Sequence, residues 1–282
     1  MQTNDELRLA VLIDADNAPR KYLKNVMEEI AVYGVPTIKR IYGDWTTPNL
    51  AGWKRPLLEH AITPVQQYAY TTGKNSTDSA VIIDAMDILY SGNADGFCLV
   101  SSDSDFTRLA TRLREAGKKV IGIGEKKTPS PFIAACNKFI YIEIIGQVDR
   151  KPGKAEKAAP AGAEAEVIVT EPAPEHAQEP ASAPAPAPGD TAKKPPVRSE
   201  KSKIPAHIVD LISASVNDLA DDEGWAFLGE VGTLLIKKQP DFDPRNFGYS
   251  KLTPLIKGID RFEIDIRQTN FPHIKHVYVK NK

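Results

Sequence analysis

Two apolar runs in this 282-residue chain end in aspartates. The first is Leu9-Ala10-Val11-Leu12-Ile13, which continues into Asp14-Ala15-Asp16-Asn17. The second is Gly96-Phe97-Cys98-Leu99-Val100, which continues into Ser101-Ser102-Asp103-Ser104-Asp105. A further aspartate, Asp78, follows Lys74-Asn75-Ser76-Thr77 at the start of a helical stretch. Carboxylates brought within a few ångströms repel one another unless a hard cation bridges them. Magnesium takes oxygen ligands, typically one or two protein carboxylates with waters and phosphate. Such a centre suits hydrolysis of a phosphodiester, polarising the phosphate and stabilising the leaving oxygen. Asn17 and Ser101 stand where they can position the phosphate or a water, and Lys74 where it can offset charge. Asp14, Asp78 and Asp103 form the expected metal set. For Asp105, capping of the helix that follows competes with metal binding. Asp16 reads as a turn residue or a direct participant, Asp84 as a supporting partner, and Asp87 as a solvated residue.

These acids need elements that place them together. The runs ending at Ile13 and Val100 read as strands buried on both faces. Helices are expected from about Arg20 to Tyr33, Asn49 to His60, Ser76 to Tyr90 and Phe106 to Ala116. Further strands are expected at 37–42, 63–67, 120–123 and 139–142. Strand–helix alternation of this kind predicts an α/β fold, a parallel sheet covered by helices on both faces. In such sheets ligands bind beyond the carboxyl ends of the strands, where strand order reverses. Asp14 and Asp103 would occupy that edge, and the start of the 76–90 helix would face it.

Other chemistries fit less well. No Gly-x-x-x-x-Gly-Lys-Ser/Thr loop is present. Gly122-Ile123-Gly124 lacks the third spaced glycine of a dinucleotide fingerprint. There is no Gly-x-Ser-x-Gly elbow, and His60 is the sole histidine of the N-terminal part. A phosphatase acting on a small ester could use the same carboxylates, but no lid is evident. The two cysteines, Cys98 and Cys136, sit in apolar runs and suit inert thiols in a reducing compartment. No membrane-spanning run occurs, and Met1 to Arg8 lacks the apolar core of a signal peptide, so a cytoplasmic protein is expected. With 36 basic and 37 acidic residues the net charge is −1, and each segment is itself near neutral. Bulk attraction therefore says little about partners.

The acidic pattern resembles the NYN domain, the LabA-like branch of the PIN-like nucleases. The matching segments are Leu12 to Asn17, Lys74 to Asp78 with Asp84, Val100 to Phe106, and Gly117-Lys118-Lys119-Val120. Asn75 departs from the glycine common at that place in the family. The resemblance implies a Rossmann-like sheet and a ribonuclease dependent on Mg2+ or Mn2+. It implies Asp14, Asp78, Asp103 and Asp105 as the acidic site, with Asn17 and Ser101 beside it.

Residues 1–149 thus form the first expected domain. Residues 150–203 contain no aromatics and are rich in Ala, Pro, Glu and Lys. Such a stretch cannot bury enough apolar surface to fold and reads as a disordered tether. Residues 204–282 form a second module. Helices are expected at 204–219, 228–238 and 247–259, then a hairpin of 262–267 with 277–280, the layout of a winged helix. Asp222-Glu223-Gly224-Trp225 and Asp241 to Leu252, with its Gly-Tyr-x-Lys-Leu segment, resemble the LOTUS (OST-HTH) domain. That resemblance implies RNA binding and, in some members, a protein partner. Arg245, Tyr249, Lys251 and Lys257 offer phosphate contacts and one aromatic face. Arg267, His273, Lys275 and His276 decorate the hairpin, and Trp225 and Phe247 are expected in the core. The leading expectation is a metal-dependent ribonuclease with a tethered RNA-binding module. The alternative is a catalytically weak adaptor that binds RNA or protein.

Overall fold

The computed structural model describes residues 6–68, 76–146, 204–268 and 275–282. Lys74, the expected tether at 150–203, and His273 lie outside the described residues. Six parallel strands form the first sheet: β1 (Arg8–Asp14), β2 (Val35–Gly43), β3 (Thr63–Gln66), β4 (Gly96–Val100), β5 (Lys119–Gly124) and β6 (Lys138–Tyr141). Their order is β3-β2-β1-β4-β5-β6. The order reverses between β1 and β4, so those two strands are neighbours, with Ile13 opposite Val100. This is the doubly wound α/β arrangement that the alternation predicts.

Alternation along β1 feeds two cores. Leu9, Val11 and Ile13 pack with Leu23, Val26 and Ile30 of helix α1 (Leu23–Ala31). Ala10 and Leu12 face the other side, with Val81, Ala85 and Ile88 of α3 (Ser76–Ser91) and Leu109 and Leu113 of α4 (Thr107–Glu115). Between Arg8 and Asp14, β1 carries no polar residue because both its faces are covered. The expected helix at 20–33 splits into a 3-10 turn (Arg20–Tyr22) and α1, and that at 49–60 into a 3-10 helix (Pro48–Trp53) and α2 (Lys54–Glu59). Two short helices, α5 (Ser130–Ala135) and α6 (Ile142–Ile145), were not expected. They are too brief to show a helical period.

The C-terminal module consists of α7 (Ala206–Leu219), β7 (Ala226–Phe227), α8 (Leu228–Lys238), α9 (Leu252–Lys257), β8 (Phe262–Gln268) and β9 (Lys275–Asn281). The antiparallel order is β7-β9-β8. Ile208, Ile212, Val216, Val231, Leu235, Leu255 and Val279 centre its core. The expected helix at 247–259 is broken. Gly248 adopts φ +81°, and it ends a 3-10 turn over Pro244–Phe247 before α9 begins. A residue in that left-handed region closes a helix rather than continuing it. Trp225 lies outside the module's core, whereas Phe247 packs at its margin against Phe242. The described parts of the N-terminal domain and the C-terminal module belong to one compact unit. No helix among the described residues is long and apolar enough to cross a membrane.

Gly122 on β5 shows how tightly the sheet is covered. A Cβ there would fall 2.5 Å from the Phe139 ring and 2.8 Å from Cys136 Sγ. Both neighbours are buried, so neither can give way freely. Gly122→Ala should lower unfolding free energy by about 1–3 kcal/mol through overpacking, measured by urea denaturation.

Candidate active site

Each acid is delivered by an element end. Asp14 is the last residue of β1 and is buried, with 2% of its surface exposed. It accepts hydrogen bonds from Asn17 Nδ2 (2.7 Å), Ser101 Oγ (2.9 Å) and the Asp16 backbone N–H (3.0 Å). Ser101 stands just beyond β4, so its bond to Asp14 ties the ends of the two central strands together. Its Oγ also accepts from the Asp103 N–H at 3.1 Å. Asp103 in turn accepts from the Asp105 N–H at 2.9 Å and caps the 3-10 turn Ser104–Phe106 that leads into α4. The capping role that Asp105 was a candidate for therefore belongs to Asp103. Asp105 itself is exposed.

Asp78 enters from the first turn of α3 and is 8% exposed. Burial raises its carboxyl first, and the charges of Asp14, Asp103, Asp105 and Asp16 raise it further, to about 6. Asp14, Asp16, Asp103 and Asp105 thus all act electrostatically on Asp78 at the β1/β4 edge. Burial also raises Asp14, against the lowering effect of the Asn17 and Ser101 hydrogen bonds. Asp16 is exposed and accepts from Thr77 Oγ1 at 3.0 Å, which links the loop after β1 to the start of α3. Asn17 and Ser101 act here by holding Asp14, a different task from the phosphate positioning expected of them. Asp84 points elsewhere. It pairs with Arg40 and accepts from the Tyr42 hydroxyl on β2.

The donors gathered at this edge are hard oxygens, the type Mg2+ or Mn2+ prefers. Among the described residues no three acidic, His or Cys side chains are close enough together to enclose an ion. The set therefore fits a cation held by one or two carboxylates, with its other positions left to water and phosphate.

The residues expected to contact RNA in the C-terminal module are dispersed. Lys251 precedes α9 and Lys257 ends it, both exposed, and Tyr249 packs beside the core. Arg245 is committed to carboxylates. Its guanidinium meets Asp243 at 2.8 Å and Glu29 of α1 at 2.7 Å. A different cluster lies on the small sheet. The Arg267 guanidinium is 4.2 Å from the Tyr278 ring centre and 5.7 Å from that of Trp225, and Lys280 Nζ is 5.9 Å from Trp225. Phe227 and His276 continue it, with ring centres 5.1 Å apart. The alternation of Tyr278 and Lys280 along one strand was a signal for this face, but one shared with ordinary solvated strands.

Asp78 carries a pH signature. Its carboxyl is raised from 3.8 to about 6, so between these values the folded state binds more protons than the unfolded state. Stability contributed by this group then falls as pH rises through that window, and the penalty is complete above it. Without divalent metal, Asp78→Asn should gain about 1–2 kcal/mol at pH 7 and show no gain near pH 3.5, read from urea unfolding at each pH.

The NYN domain family matches residues 8–143 and the OST-HTH/LOTUS domain family matches residues 199–274. The uncharacterized Methanocaldococcus jannaschii protein MJ0482 is 30% identical over 159 residues, covering 54% of this chain. The chain spans 61% of that relative's length. A crystal structure of a Vibrio parahaemolyticus protein of unknown function, VPA0982, is 21% identical with a TM-score of 0.42, covering 50% of this chain and 96% of that one. A solution structure of an uncharacterized Nitrosomonas europaea protein is 33% identical with a TM-score of 0.27, covering 33% of this chain and 89% of that one. The chain is built from an NYN domain followed by an OST-HTH/LOTUS domain.

Proposed function

We propose that this chain is a metal-dependent ribonuclease whose NYN domain cuts RNA held by its LOTUS module. The observation that carries the reading is Asp78. Five aspartates from three separate elements crowd negative charge onto one sheet edge, and the Asp78 carboxyl rises to about 6, with burial the largest cause. A fold retains such crowding at a cost in stability, and clustered perturbed carboxylates mark functional sites. One or two of Asp14, Asp78 and Asp103 would hold Mg2+ or Mn2+, with the remaining acid and Asp105 beside them. When bound, the ion supplies Lewis acidity toward the phosphate and offsets repulsion among the carboxylates. Asn17 and Ser101 fix the direction in which Asp14 presents its oxygens. Asp103 is fixed by its own cap on the 3-10 turn, so its free oxygen faces a defined place. A cytoplasmic site of action is part of the same proposal.

RNA would meet the module at the cation–aromatic face of Trp225, Tyr278, Arg267 and Lys280. Rings and guanidinium planes stack on unpaired bases without needing a strongly basic surface. This suits a module with about as many acids as bases.

A second reading has an observation in its favour. The described carboxylates do not form a closed metal set, and this favours a weakly catalytic adaptor that binds RNA through the same module.

One experiment separates the two. The wild type should cut labelled single-stranded RNA in Mg2+ or Mn2+, and Asp14→Asn and Asp103→Asn should each lose about 100-fold or more of that rate. Either ion should also raise the melting temperature of the wild type, and less so that of the variants. Intact RNA in both metals would leave the adaptor reading standing. Binding is tested separately, by fluorescence anisotropy without divalent metal. Trp225→Ala should weaken binding of single-stranded RNA about tenfold or more, as loss of a base-stacking surface does.

A further inference from the structure

The C-terminal module touches the NYN domain through the short segment Pro240 to Arg245. β6 is an edge strand, and edge strands carry unpaired backbone groups that need a cover. The Phe139 N–H on β6 donates to the Pro240 carbonyl at 2.9 Å. The three following residues of the segment each meet a side chain of the same strand. Tyr141 Oη donates to Asp241 Oδ2 at 2.7 Å. Lys138 Nζ donates to the Phe242 carbonyl at 2.9 Å and lies 3.9 Å from Asp243 Oδ2. Arg245 then reaches α1, where its two terminal nitrogens donate to the two Glu29 oxygens at 2.8 and 2.7 Å.

Opposite charges meet within this contact. Glu29, Asp241 and Asp243 face Lys138 and Arg245. The Lys138 and Asp243 side chains are only 9% and 10% exposed. Buried charges are tolerated when paired and hydrogen-bonded, and removal of one partner leaves the other stranded. Arg245 is held in place before it meets Glu29. Asp243 accepts from its backbone N–H at 2.9 Å and from its guanidinium at 2.8 Å. A planar fork fixed in advance and facing a carboxylate bidentately gives directional recognition.

We propose that Pro240–Arg245 is a charge-keyed docking segment that seats the LOTUS module on the β6 edge and α1 of the NYN domain. The partner of this NYN surface is the chain's own module. Arg245 is consumed by the contact and is withdrawn from RNA. The proposal concerns how the two domains are held and does not depend on whether the acid edge cuts RNA.

The test uses the whole folded chain, with a protease recognition sequence placed within residues 150–203 and cut after purification. The two wild-type fragments should stay together on size-exclusion chromatography. Their dissociation constant should rise about tenfold in Glu29→Gln and in Arg245→Gln. The double variant should be no weaker than the weaker single, because both changes remove one contact. Tyr141→Phe removes only a hydroxyl from the other side of the segment and should also weaken association. If Arg245→Gln unfolds the module, as circular dichroism would show, Glu29→Gln and Tyr141→Phe decide the matter alone. Wild-type fragments that elute apart, an unchanged constant in Glu29→Gln, or strictly additive losses in the double variant would each overturn the proposal.

Discussion

Everything at the candidate site depends on β1 and β4 being neighbours. A sheet built in the order β3-β2-β1-β4-β5-β6 changes winding direction between those strands, and the loops leaving them diverge to opposite faces. The divergence opens a gap at their carboxyl ends, and the hydrogen bond from Ser101 to Asp14 spans it. Asp14 cannot move without Ser101, and Ser101 also holds the backbone of Asp103. The acids are thus fixed by the same strand pairing that forms the two cores. Their positions are rigid because the strands that carry them are buried on both faces.

Several acids elsewhere in the chain are treated differently. Asp95 sits under the Arg8 guanidinium, Asp84 under Arg40, and Asp243 under Arg245. Asp14 and Asp103 receive neutral donors instead, from Asn17, Ser101 and backbone N–H groups. Neutral donors orient a carboxylate without cancelling its charge. The field at the edge therefore stays negative, and Asp78, arriving from α3, registers it. An arginine in the same place would have quenched this field.

Much of this was legible in the sequence, for physical reasons. Continuous apolar runs bounded by aspartates can be little other than buried parallel strands, so β1, β4 and the placing of Asp14 and Asp103 followed directly. Helix α3 was legible in the sequence, expected from Ser76 to Tyr90 and found from Ser76 to Ser91. Short elements were not: α5 and α6 have too few residues to display a period. The helix placed at 247–259 failed at Gly248, whose left-handed backbone broke it. Arg245 was read as a phosphate contact because its partner, Glu29, lies 216 residues away and no local pattern announces such a pair. Trp225 was read as core because tryptophan usually is. Its place beside Arg267 and Lys280 depends on the strand pairing of the small sheet, which composition alone does not disclose.

The covered edge of β6 also bears on the order in which the molecule is made. Lys138 and Tyr141 find their partners 104 and 100 residues further along the chain. A ribosome releases the whole first sheet well before it completes Pro240. During that interval one flank of the sheet presents open backbone groups, a template to which another nascent chain can add a strand. The opposite flank is less exposed to this hazard, since Pro64 in β3 has no N–H to offer. The vulnerable period of synthesis is set by the 100 residues that separate Tyr141 from Asp241 and the time needed to translate them.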